Sequence, residues 1–145
     1  MRRRPARDLW MAAAAVPLVA AAQRAREVPL PDLVTVLTAR PAPSSPDVRR
    51  ALSAASRASR LLHGLTGALD SCLIRSLVAG RMLAPHHEVR LVTGFRPGRD
   101  GAHAEGHAWL EVDGEPLQVS PPPEGPPFER AHSIAFPGSG RETAG

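Results

Sequence analysis

Two proline-rich breaks dictate how this chain can fold. Arg40-Pro41-Ala42-Pro43-Ser44-Ser45-Pro46 is the first, and from Pro121 to Pro127 five of seven residues are proline. Proline lacks a backbone N–H and continues neither a helix nor an inner strand. Around the first break the apolar residues recur at helical spacing; ahead of the second they alternate. Residues 5–26 and 31–39 read as helices, the second with Pro31 at its start. Asp47 is placed to cap a helix over 48–63, where Val48, Leu52, Ala55, Ala58, Leu62 and Leu65 step by three or four. A further helix starts near Asp70-Ser71-Cys72, with Asp70 or Ser71 as its cap, and runs to about Leu83 before Pro85. Residues 88–95 and 106–112 alternate as strands, Asp113-Gly114 signals a hairpin, and a third strand follows over 115–120. Phe128, Ile134 and Phe136 would dock the tail.

Helices first and strands after predict an α+β fold, with N-terminal helices packed on a small antiparallel sheet. The expected division is a helical segment over 1–47, a core over 48–137 and a flexible tail over 138–145. A chain of 145 residues has room for one domain of ordinary size.

Composition excludes more than it selects. All 18 basic residues are Arg, and there is no Tyr. The isoelectric point of about 11.1 therefore reflects missing Lys and Tyr, not a nucleic-acid interface. The interleaving of basic and aromatic residues used by single-strand binders is absent, so no nucleic-acid partner is expected. Charge is uneven: residues 1–60 carry 11 Arg against four acids, and residues 61–145 carry seven against ten. A basic half steers an acidic peptide, a protein or an anionic lipid surface without choosing among them.

Met1-Arg2-Arg3-Arg4 precedes an apolar run from Leu9 to Ala22, broken by Pro17. The run is too short to span a bilayer. It reads as a signal peptide, as an Ala-rich helix lying on the domain with Asp8 as cap, or as a weak membrane-surface contact of residues 9–22. One cysteine excludes an internal disulfide framework and a Cys-cluster zinc site, and fits a reducing, cytoplasmic setting.

That cysteine is either an inert core residue or a nucleophile. Cys72 falls in the first turn of its helix, where free N–H groups and the macrodipole favour an anion. A free thiol has a pKa of about 8.5, and a helix start beside a histidine lowers it. His107 begins the strand Gly106-His107-Ala108-Trp109. Cys on a helix start and His on a neighbouring strand is the arrangement of papain-like and transglutaminase-like enzymes. A zinc site from Cys72, His103, Glu105 and His107 is the weaker alternative, and His86-His87 reads as an exposed turn.

Three stretches together resemble the lasso-peptide leader peptidases: Cys72-Leu73-Ile74-Arg75-Ser76-Leu77, then Arg90-Leu91-Val92-Thr93-Gly94-Phe95, then Gly106-His107-Ala108-Trp109-Leu110-Glu111-Val112-Asp113-Gly114. These are transglutaminase-like cysteine proteases related to the C-terminal domain of the microcin J25 processing protein. The resemblance spans about residues 48–120. It implies a peptidase that cuts the leader from a ribosomal precursor, with Cys72 as nucleophile and His107 as base. It also implies an ATP-dependent macrolactam cyclase as partner. Residues 1–47 are too short and too Ala-rich for the family's leader-recognition domain, so a separate leader-recognition protein is expected. No cofactor and no metal is implied.

The third catalytic member departs from the family pattern. Where the family has Asp, this chain has Val119, in Gln118-Val119-Ser120-Pro121. A two-residue turn at Asp113-Gly114 pairs His107 with Ser120 and puts Gln118 and Ser120 on the face of His107. A one-residue bulge would bring Val119 there instead. Gln118 is the expected orienter, because an amide oxygen can hold a ring N–H, as Asn does in papain-like enzymes, though a neutral partner stabilises imidazolium less than a carboxylate. Arg75, one turn after Cys72, is expected to support the thiolate or meet a substrate carboxylate. The alternatives are a non-catalytic scaffold that binds precursor and cyclase, and an acyltransferase that passes the acyl group to an amine.

Overall fold

The structure is a computed structural model, and it describes residues 5–25, 27–67 and 71–139. Among the described residues four helices precede one four-stranded antiparallel sheet, the α+β order expected. The helices are α1 (Pro5–Arg24), α2 (Leu30–Thr38), α3 (Val48–Thr66) and α4 (Cys72–Leu83). The strands are β1 (Val89–Pro97), β2 (Ala104–Val112), β3 (Glu115–Leu117) and β4 (Glu129–Ala135), in the order β3-β2-β1-β4.

Local chemistry sets the helix ends. The Asp47 side chain accepts from the Arg50 N–H at the start of α3, and Ser71 accepts from the Ile74 N–H at the start of α4. Asp70, the other expected cap, lies outside the described residues, as do Arg26 and residues 140–145. Asp8 sits inside α1 and pairs with Arg50 at 2.9 Å, tying α1 to α3. One core joins all four helices to the sheet. Leu18 and Val19 of α1, Leu33 of α2, Ala55 of α3 and Leu77 of α4 pack there with Leu91 and Leu110 of the strands.

The hairpin turns as its sequence requires. Asp113 and Gly114 both have positive φ, 52° and 83°, as the tight turn between right-twisted strands demands. Val112 pairs with Glu115 and Leu110 with Leu117. The third strand stops there, three residues short of the expected end, and Val119 turns into the core beneath it. The tail differs more. Residues 129–135 form β4, an edge strand on β1, where only docking by Phe128, Ile134 and Phe136 was expected. Phe136 does dock, and it is 2% exposed. Beyond it, the Ser139 hydroxyl accepts from the Val89 N–H and donates to the His87 carbonyl, so residue 139 is fixed to the sheet and not loose.

Candidate active site

The site is built on β2 by alternation. Every residue of β2 pairs with β1 without interruption, from Val112 opposite Val89 to Ala104 opposite Pro97. Successive side chains therefore point to opposite faces. Ala108, Leu110 and Val112 face the helices and enter the core. His107, Trp109 and Glu111 face the other way and line a cavity of about 470 Å³ on the open face.

His107 is 6% exposed and held on three sides. Its ring stacks on Trp109 at 5.9 Å between centroids and lies 5.2 Å from Phe128. Its Nε2 is 2.7 Å from Gln118 Oε1. An amide oxygen only accepts, so Nε2 carries the hydrogen. In the neutral ring Nδ1 is then the basic nitrogen. Gly94, opposite His107 on β1, leaves room for Trp109: a methyl group there would meet its ring at 2.8 Å.

Cys72 is partly buried against the core, at the first turn of α4 behind the Ser71 cap. Its height can be read from its neighbours. One turn on, the Ser76 hydroxyl donates to the Ala108 carbonyl at 3.5 Å, and one turn further Gly80 abuts Leu110. Four helical residues rise about 6 Å, and two strand residues about 6.6 Å. The helix and the strand thus keep pace, and Cys72 is level with Gly106 and His107. It is on the other face. The sequence names Cys72 and His107 as nucleophile and base; in the structure Cys72 packs against the helix-side core, while His107 lines the opposite face of β2. Among the described residues no hydrogen bond joins them. The reason is the unbroken β1–β2 ladder, which sends His107 to the side away from α4.

The remaining expected residues are placed as follows. Gln118 meets His107 as described. Val119 is 9% exposed and belongs to the helix-side core. Arg75 lies on α4 one turn after Cys72, half-buried. His103 bonds Asp100 at 2.9 Å in an exposed loop and holds that carboxyl below its usual range. Among the described residues no three His, Cys, Asp or Glu side chains cluster to hold a metal ion. His86 and His87 follow α4 in a turn, and both are bonded there. His86 Nε2 meets Ser44 Oγ at 3.3 Å, and His87 joins the Pro46 carbonyl to Asp113.

Sequence reasoning missed Arg96 and the pair Glu111–Arg130, and it named Phe128 for docking the tail without placing it beside His107. A signal for Arg96 was present. A run of prolines has carbonyls but almost no N–H groups, so a nearby arginine is its natural donor. Arg96 also shares the parity of Gly94, and so the face of His107.

The family model of the transglutaminase-like superfamily matches residues 12–131. No curated protein matches, and no solved structure does. The superfamily generally includes cysteine proteases, and a domain of this kind fits cysteine protease or acyltransferase chemistry. With helices before an antiparallel sheet, and a match running over most of its length, the chain belongs to the transglutaminase-like superfamily.

Proposed function

We propose that the protein is a cysteine peptidase that removes the leader from a ribosomally made lasso-peptide precursor. The observation that carries the reading is the bond between His107 Nε2 and Gln118 Oε1, which leaves Nδ1 free to take a proton. The lasso class rests on the resemblance of the stretches around Cys72, Arg90–Phe95 and Gly106–Gly114.

Nδ1 takes the thiol proton and the Cys72 thiolate attacks the scissile carbonyl carbon. The Cys72 N–H, free at the start of α4, stabilises the oxyanion. Imidazolium returns the proton to the leaving amine, the C–N bond breaks and a thioester forms. Water then attacks the thioester, loses its proton to Nδ1, and the acid leaves with the thiol restored. Gln118 sets the tautomer of the imidazole in the resting fold, before the ring reaches the thiol. Arg75 meets a substrate carboxylate beside the thiol.

This chemistry requires His107 to reach the helix side when substrate binds. A one-residue bulge in β2 does that. The place suits it: Gly106 precedes His107, Gly94 lies opposite, and β3 ends before this level, so β2 is the sheet edge there. A separate leader-recognition protein delivers the precursor, in the cytoplasm, and an ATP-dependent macrolactam cyclase takes the product. Among the described residues no helix is long and apolar enough to cross a membrane.

A second reading is favoured by one observation. Val119 is packed in the core and the thiol faces away from His107, as suits a scaffold that binds precursor and cyclase without cutting. The separating experiment incubates a candidate precursor and its leader-recognition partner with wild type and with Cys72→Ala, and reads mass spectra. A cut lost in Cys72→Ala supports the peptidase. Bound but intact precursor supports the scaffold, and an amine adduct indicates acyl transfer.

A further inference from the structure

We infer that Arg96 is a positioning residue for His107, clamping the proline-rich loop 121–127, and with it Phe128, against the imidazole. The inference rests on the reading of His107 as the base. Arg96 extends from β1 on the open face and is 6% exposed. Its Nε donates to Glu105 Oε2 at 2.7 Å. Nη1 donates to the carbonyls of Pro123, at 3.1 Å, and Pro126, at 2.8 Å, and Nη2 to that of Glu124, at 3.0 Å. Its Cζ lies 4.1 Å over the Phe128 ring. One guanidinium thus ties three loop carbonyls, an aromatic ring and a carboxylate into one unit.

The three contacts on the His107 ring have different origins. Trp109 stands on the same strand, and Gln118 follows β3 directly. Phe128 joins the loop to β4, whose first residue Glu129 pairs with Phe95, and on the loop side the backbone carbonyls are held by Arg96. Gly125 makes the fit possible. Its φ is +141°, and a Cβ there would sit 2.9 Å from the Arg96 Cζ. Removing the guanidinium and pushing it aside are therefore two independent ways to release the same wall.

The test uses the full chain and nuclear magnetic resonance. Long-range nitrogen–proton correlations report which His107 nitrogen carries the hydrogen, and ring-to-ring Overhauser effects report Phe128 beside it. Wild type is expected to show a single Nε2–H tautomer and the Phe128 contact. Arg96→Lys and Gly125→Ala are each expected to lose the contact, populate the second tautomer and speed amide exchange at residue 128 about tenfold or more. Lysine keeps the charge but not the fork, so it does not rescue. Leu33→Val, in the helical core, controls for loss of stability alone and is expected to leave His107 unchanged. Should Arg96→Lys fail to fold, Gly125→Ala decides, since it retains the guanidinium. An unchanged tautomer and Phe128 contact in Gly125→Ala overturns the inference, as does an equal change in Leu33→Val. If these signals move while Cys72→Ala still cuts precursor at the wild-type rate, the peptidase reading fails and the positioning role stands.

Discussion

Gln118 Oε1 accepts the hydrogen of His107 Nε2 across 2.7 Å, and that bond selects Nδ1 as the basic nitrogen of the ring. Removing it frees the ring to adopt either tautomer. Gln118→Ala is expected to lower the rate of precursor cutting about tenfold or more. Gln118→Glu is expected to raise it above wild type, because a carboxylate stabilises imidazolium where an amide does not. Rates measured by peptide mass spectrometry check both, and an unchanged rate in Gln118→Ala removes Gln118 from the mechanism.

Val119 stands at the position where the resembling family carries Asp, yet it lies in the helix-side core at 9% exposure. Val119→Asp is therefore expected not to repair the site. It buries a carboxylate without a partner and costs about 3 kcal/mol or more of stability. A denaturant melt reads this directly. A gain in cutting rate with no loss of stability would contradict the placement of residue 119.

His87 joins three segments of the fold. Its Nε2 donates to the Pro46 carbonyl at 2.8 Å, and its Nδ1 meets Asp113 Oδ2 at 2.7 Å. Both contacts are donations only in the charged ring. Burial pulls the His87 pKa down, but the carbonyl and the carboxylate outweigh it and the net direction is up from 6.5. Asp113 is held below its usual value of 3.8, first by His87 and then by the Glu88 N–H. With the folded pKa above the unfolded one, the His87 contribution is complete below about pH 6.5 and fades as pH rises through the folded value. The Asp113 contribution has the opposite sense and is lost as pH falls. Thermal melts are expected to show Tm declining as pH rises above about 6.5, and His87→Gln is expected to flatten that decline. Equal slopes in wild type and variant would show that His87 carries no such linkage.

Gly80 sits where α4 crosses the sheet. A Cβ there would meet the Phe136 ring at 2.4 Å and Leu110 Cδ2 at 3.2 Å. Gly80→Ala is expected to cost about 1–3 kcal/mol by overpacking, despite the better helix propensity of alanine. Chemical denaturation measures it, and a stabilised variant would contradict the close approach.

The legible parts of the fold were those written in local chemistry. Asp47 and Ser71 cap the helices they precede, and Asp113-Gly114 turns the hairpin with both residues at positive φ. Gln118 was reachable because the turn sets the register, and the register sets the face. The face itself was not legible. Alternation separates His107 and Trp109 from Ala108 and Leu110, but both sets are bulky or apolar, and nothing local says which one meets the helices. β4 was hidden for a related reason. It is an edge strand of largely exposed residues, with a register shift against β1 between Thr93 and Gly94, so it carries little alternation. Arg96 was missed because its partners are backbone carbonyls 27 to 30 residues away; the proline run signals the need for a donor but not which arginine supplies it.

The central claim is that Cys72 and His107 act on one substrate, although the resting fold keeps them on opposite faces of β2. Dibromoacetone bridges a thiol and an imidazole through three carbons, and so reports whether the two come within reach. The protein is treated with it in the presence of a candidate precursor and the leader-recognition partner, then digested and sequenced by mass spectrometry. A Cys72–His107 crosslink is expected, absent in His107→Ala and much reduced without precursor. Alkylation confined to the Cys72 thiol, with no bridge to His107 under any condition, would contradict it.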